Sequence, residues 1–140
     1  MVWSKITWSC RELVQAGKDI DSAYWELVVK DIQDACKLFE SIYDQTDGGD
    51  GYVSVEVSPR LAEDTEGTIE AAKWLHKVVS RPNVYIKIPA TAACVPSIKE
   101  VIANGISVNV TVSLWYFLSC SLQINWVSYY VMLTCYKLGC

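Results

Sequence analysis

Residues 51–91 read GYVSVEVSPRLAEDTEGTIEAAKWLHKVVSRPNVYIKIPAT, and two short segments within them alternate as strands do. Over 52–57, Val53, Val55 and Val57 share one side while Ser54 and Glu56 share the other. Successive strand side chains point to opposite faces, so a period of two marks a strand with two unlike faces. Over 84–88, Val84, Ile86 and Ile88 lie on one side and Tyr85 and Lys87 on the other. Pro59 and Pro89 are expected to end these strands, since proline has no N–H to give a ladder. Between them Asp64 or Thr65 can cap a helix whose Ile69, Ala72, Leu75 and Val79 form a core stripe, up to a turn at Arg81, Pro82 and Asn83.

Working outward, Ala23, Tyr24, Leu27, Val28, Ile32, Ala35, Leu38, Phe39 and Ile42 recur at helical spacing. The spacing predicts one long helix over 21–43. Asp19 and Asp21 at its start and Lys37 towards its end suit the helix dipole, and the turn-rich DQTDGGDG of 44–51 breaks it. Downstream, a short helix is expected over 96–104, with Pro96 in its first turn and Gly105 supplying the C-terminal turn. A third strand follows over 106–112, in which Val108, Val110 and Val112 oppose Ser107, Asn109 and Thr111.

Strands separated by helix-sized segments imply parallel pairing through right-handed crossovers, hence an α/β class. Strands of an open doubly wound sheet are covered on both faces and tend to be apolar on both. These present valine or isoleucine one way and polar groups the other, which suits a barrel. The expected fold is a fragment of a (β/α)8 barrel of the TIM type, about three consecutive βα units, since 140 residues fall short of the roughly 250 of a whole barrel. Residues 1–10 form a divergent start, 11–112 the partial barrel and 113–140 a divergent apolar tail. No charged residue occurs over 106–136.

The net charge of −4 provides no basic surface for a phosphate backbone, which argues against nucleic acid as a partner. Cys10, Cys36, Cys94, Cys120, Cys135 and Cys140 form no C-x-x-C pair, and His76 is the sole histidine. No metal site is expected, and the thiols are read as reduced. His76 reads as a surface residue, and Tyr24, Trp25 and Trp74 as packing residues. Gly48, Gly49 and Gly51 have acidic neighbours, the wrong charge for a phosphate loop. The start, MVWSKITWSC, does not read as a signal or transit peptide. The uncharged run over 106–136 exceeds the roughly 20 residues of a membrane span, but Asn109, Gln123, Asn125 and several serines argue against a bilayer core.

Glu56, Lys87, Asn109 and Thr111 fall on the polar sides of successive strands near their C-terminal ends, where parallel α/β folds place reactive groups. A desolvated lysine offers a neutral amine for attack on a carbonyl carbon, and a carboxylate nearby can hold it as ammonium or shuttle protons through a water. Two readings of Lys87 and Glu56 stand on this pattern alone: a structural ion pair, or a nucleophile with its proton relay. Asn109 and Thr111 supply uncharged donors and acceptors suited to a hydroxyl-rich ligand, although such residues also serve simply to satisfy barrel interiors.

These segments resemble the transaldolase family, particularly its plant and cyanobacterial branch. VSVEVSPRLA is similar to the strand bearing the family's catalytic glutamate, NVYIKIPAT to the strand bearing its Schiff-base lysine, and GISVNVTV to the next strand. RELVQAGKDIDSAYWELVVKDIQDACKLFESIYDQTDGGDG, upstream, resembles the same branch. The resemblance implies Lys87 as nucleophile, Glu56 as proton relay through water, and Asn109 and Thr111 as hydrogen-bonding partners of the intermediate. The reaction it implies is a pentose phosphate pathway transfer of a dihydroxyacetone unit without metal or organic cofactor. Fructose 6-phosphate, sedoheptulose 7-phosphate, erythrose 4-phosphate and glyceraldehyde 3-phosphate are the implied substrates, and chloroplast stroma or cytoplasm the compartment.

The family's aspartate strand and Ser-Asn-Pro motif are not found before Arg11, and 113–140 contain no arginine for phosphate. The expectation is a truncated, weakly active or inactive chain. Two alternatives are a non-catalytic fragment or splice product and a protein tethered to a membrane through 106–136.

Overall fold

The computed structural model describes residues 12, 13 and 15–111. The expectations for 1–10, for Val112 and for 113–140 lie outside the described residues. The elements are helix α1 (Ile20–Gln45), strand β1 (Val53–Glu56), a 3-10 turn (Pro59–Leu61), helix α2 (Thr65–Val79), strand β2 (Val84–Pro89), helix α3 (Cys94–Ala103) and strand β3 (Val108–Thr111). The sheet has the order β1-β2-β3. β2 and β3 pair in parallel, with Lys87 opposite Asn109 and Pro89 opposite Thr111. On the other edge of β2, Val53 donates its N–H to Asn83 O and Val57 its N–H to Lys87 O. Both partners advance by the same step, as parallel strands require. The class is α/β with a parallel three-strand sheet, the pattern of consecutive barrel strands.

The described residues group into two compact units, and the division cuts through α2 and β2. One runs to Val55 and returns at Leu75–Val84; the other holds Glu56–Trp74 and the chain from Tyr85 onward.

In the first unit, Asp19 caps α1 by accepting the Ser22 N–H at 3.0 Å, and Thr46 closes it with a hydroxyl bond to Ile42 O. Ala23 and Cys36 are its buried residues. Gln33 of α1 donates to the carbonyls of Val78 and Val79, which satisfies acceptors that the last turn of a helix leaves open. Asn83 is more than the turn residue expected from sequence. Its buried amide nitrogen donates to Cys36 O and Gly51 O, both at 2.9 Å, while its carbonyl receives the Val53 N–H. Gly51 has φ +83, and a Cβ there would lie 2.6 Å from Tyr43 N, so only glycine fits the return into β1.

The long-helix stripe needs correction. Leu38 is 79% exposed, and Tyr24, Phe39 and Ile42 are also exposed. A helix turns by about 100° per residue, so Leu38, two residues beyond buried Cys36, points to nearly the opposite side. α1 is apolar around much of its circumference, and spacing alone does not select the buried line. Trp74 is likewise exposed rather than packed inside, and His76 is half-buried.

In the second unit Val57, Thr68, Ala72, Ile86, Ile88, Cys94, Ser97, Val101 and Ile106 are buried. The α2 stripe begins at Thr68 rather than at half-buried Ile69. Asp64 caps α2 by accepting the Gly67 N–H.

Pro89 is the last residue of β2, as expected. One further bond follows it, from the Ala90 N–H to Thr111 O at 2.8 Å. Ile86 and Ala90 point their N–H groups towards β3. Pro89 has the opposite parity, so its missing donor falls on the side where β1 has already finished. α3 begins at Cys94, two residues before the expected start, because the Thr91 hydroxyl accepts the Cys94 N–H at 3.1 Å.

Candidate active site

Lys87 stands in the middle strand with its backbone fixed on both edges: its carbonyl accepts from Val57 at 3.1 Å, and it pairs in register with Asn109. β2 alternates between buried and half-buried residues. Ile86 and Ile88 anchor one face and Lys87 emerges on the other. Its ammonium lies 3.2 Å from Glu56 Oε2, with side-chain exposures of 33% and 44%. In-register partners of a parallel pair project to the same face, so Asn109 shares the Lys87 side, and Thr111, opposite Pro89, lies two residues further along it. Asn109 is exposed. Thr111 Oγ1 is buried and has no hydrogen-bond partner among the described residues.

All four residues singled out from sequence are thus on neighbouring stretches of the sheet, with Lys87 between the strand of Glu56 and the strand of Asn109 and Thr111. A partly exposed ion pair is worth about 0–1 kcal/mol, so the meeting of Lys87 and Glu56 is set by the backbone rather than by their attraction. Chemically, the group combines a primary amine, a carboxylate able to carry a proton, and neutral donors and acceptors. No group of three or more His, Cys, Asp and Glu among the described residues could hold a metal ion.

Sequence reasoning missed a polar cluster just beyond the C-terminal ends of β1 and β2. Thr91 Oγ1 donates to Ala62 O. Thr68 Oγ1 donates to Leu61 O at 2.9 Å, and the Cys94 thiol reaches Leu61 O and Ala62 O at 3.8 and 3.4 Å. Thr65 Oγ1 donates to Ala93 O at 2.7 Å and Ser97 Oγ to Thr65 O at 2.9 Å. Thr68 at stripe spacing with Ala72 was the available signal.

Comparison with known proteins places the chain in a family. The profile of the transaldolase/fructose-6-phosphate aldolase family matches residues 4–114. The chain belongs to this family. The transaldolase of Mycolicibacterium smegmatis is 52% identical over 100 residues, covering 71% of this chain and 27% of that protein. The transaldolase of Acidothermus cellulolyticus is 50% identical over 101 residues, covering 72% and 27%. That of Mycobacterium bovis is 49% identical over 100 residues, covering 71% and 27%. The chain therefore spans 27% of the length of the curated transaldolases it matches. Family membership makes the three parallel strands a section of a TIM-type barrel sheet. Residues 108–111 of the uncharged run enter that sheet as β3, and no described helix is long and apolar enough to cross a membrane.

Proposed function

We propose that this chain carries the Schiff-base centre of a transaldolase reaction, a transfer of a dihydroxyacetone unit from a ketose phosphate to an aldose phosphate. Lys87 is the nucleophile. Its nitrogen lone pair adds to the ketone carbon, and loss of water from the carbinolamine gives an iminium. The positively charged nitrogen then draws in the electron pair of the adjacent C3–C4 bond. The aldose leaves, its hydroxyl proton going to base, and a three-carbon enamine stays on Lys87. Attack of the enamine carbon on the aldehyde of an acceptor, followed by hydrolysis, completes the transfer.

Glu56 relays protons through a water in the dehydration and hydrolysis steps. Asn109 and the Thr111 hydroxyl, unpartnered among the described residues, hold the hydroxyls of the intermediate. Fructose 6-phosphate and sedoheptulose 7-phosphate are the proposed donors, erythrose 4-phosphate and glyceraldehyde 3-phosphate the acceptors.

The observation that carries this reading is the position of Lys87 in the middle strand, 3.2 Å from Glu56 and in register with Asn109. Residues acting as a unit lose most of their rate when some are absent, so the 140-residue chain assayed by itself is expected to form the adduct and turn over weakly. The test is borohydride trapping with fructose 6-phosphate. Lys87→Ala is expected to abolish the trapped adduct and Glu56→Gln to slow its formation about 100-fold; equal trapping by Lys87→Ala and the unaltered chain contradicts the reading.

A further inference from the structure

The polar cluster after β1 and β2 joins the two loops that follow Glu56 and Lys87. Leu61 and Ala62 follow Glu56 by five and six residues, and Thr91 and Cys94 follow Lys87 by four and seven. Two carbonyls, Leu61 O and Ala62 O, receive hydroxyl bonds from Thr68 and Thr91 and the shared thiol of Cys94. Thr91 Oγ1 also accepts the Cys94 N–H, so one hydroxyl both closes the loop after β1 and opens α3. Thr68 and Cys94 are fully buried, where an unmade hydrogen bond is costly and a made one fixes geometry.

We infer that this clamp, with Thr91 at its centre, is a positioning device that holds Glu56 against Lys87. The backbone bond from Val57 to Lys87 O anchors the two strands at the reactive residues, and the clamp joins the chains again at Ala62 and Thr91. Between these points the chain is closed into a ring. Glu56 and Lys87 are long, partly exposed side chains whose attraction is too weak to order itself; the ring supplies the order. The Thr91 hydroxyl bonds to Ala62 and Cys94 rather than to either of them and acts through the loop from Val57 to Ala62.

The inference rests on the reading of Lys87 as the working amine, and its test is independent of turnover. The full chain is treated with limiting acetic anhydride, and acetylation of Lys87 is measured by peptide mass mapping relative to exposed Lys77. Glu56→Gln is expected to raise the Lys87 to Lys77 ratio about threefold, the size of an exposed ion pair. Thr91→Val is expected to raise it similarly, Thr91→Ser to restore it, and Thr91→Val added to Glu56→Gln to give no further rise.

A merely structural loss would move the melting temperature without this selective change and without rescue by serine. If Thr91→Val cannot be purified, Cys94→Ala, which removes the thiol shared by both carbonyls, carries the comparison with a smaller rise. An unchanged ratio in the Thr91 or Cys94 variant, or in Glu56→Gln, overturns the inference. Failure of fructose 6-phosphate to form an adduct on Lys87 counts against the proposed reaction alone, and the acetylation ratios still decide the clamp.

Discussion

β2 and α1 are both rich in apolar side chains, yet they bury them to opposite degrees. Val84, Ile86 and Ile88 of β2 are 0–2% exposed, whereas α1 leaves Ile20, Tyr24, Leu38, Phe39 and Ile42 at 40% or more. A strand bonded on both edges has its inward neighbours set by the ladder itself. A helix has no such lateral constraint, and in the unit that holds it α1 is secured at a few points: Ala23, Cys36, Gln33 and the amide of Asn83. The candidate chemistry sits on the element of the first kind, which holds side chains within narrow geometric limits.

This contrast breaks most readily at its rigid end. Ile86→Ala removes a fully buried side chain and is expected to cost about 3 kcal/mol, measured by urea unfolding. Asn83→Ala tests the few-point attachment of α1. It leaves Cys36 O and Gly51 O without the Asn83 amide and is expected to cost about 2 kcal/mol, with faster hydrogen exchange at the start of β1.

Asp19 tests the exposed start of α1 through pH. Hydrogen bonds from Ser22, side chain first and backbone amide second, hold its carboxyl below the usual carboxylate range. A carboxyl depressed in the folded state contributes stability that is present above its unfolded value and lost as pH falls through the folded one. The melting temperature should therefore drop slightly less on acidification in Asp19→Ala than in the unaltered chain. The smallest effect belongs to Leu38→Ala, which at 79% exposure should change stability by less than about 0.5 kcal/mol. A loss of several times that would mean that the outer face of α1 is packed.

How much of this was legible in the sequence follows the same division. The period of two in 84–88 predicted the buried face of β2 and turned Lys87 the other way, and the same parity brought Glu56, Asn109 and Thr111 to neighbouring stretches. Those inferences needed only the pleat. Pro89 was legible as the end of β2, but the bond from Ala90 to Thr111 that follows it was not, because its partner lies on a strand distant in sequence. The clamp was illegible for a related reason: Thr91 and Ala62 are 29 residues apart and Ser97 and Thr65 32 apart, and single hydroxyls in loops carry no period. On α1 the spacing was helical, as the structure is, but several faces were apolar and only tertiary contacts chose among them.

In the proposed reaction the amine of Lys87, and no other lysine, meets the ketone. This is tested most directly by incubating the chain with fructose 6-phosphate, reducing with borohydride and mapping every lysine by mass. A reduced three-carbon unit is expected on Lys87, with Lys73, Lys77 and Lys99 unmodified. A modification spread evenly over the exposed lysines, or absent from Lys87, would contradict it.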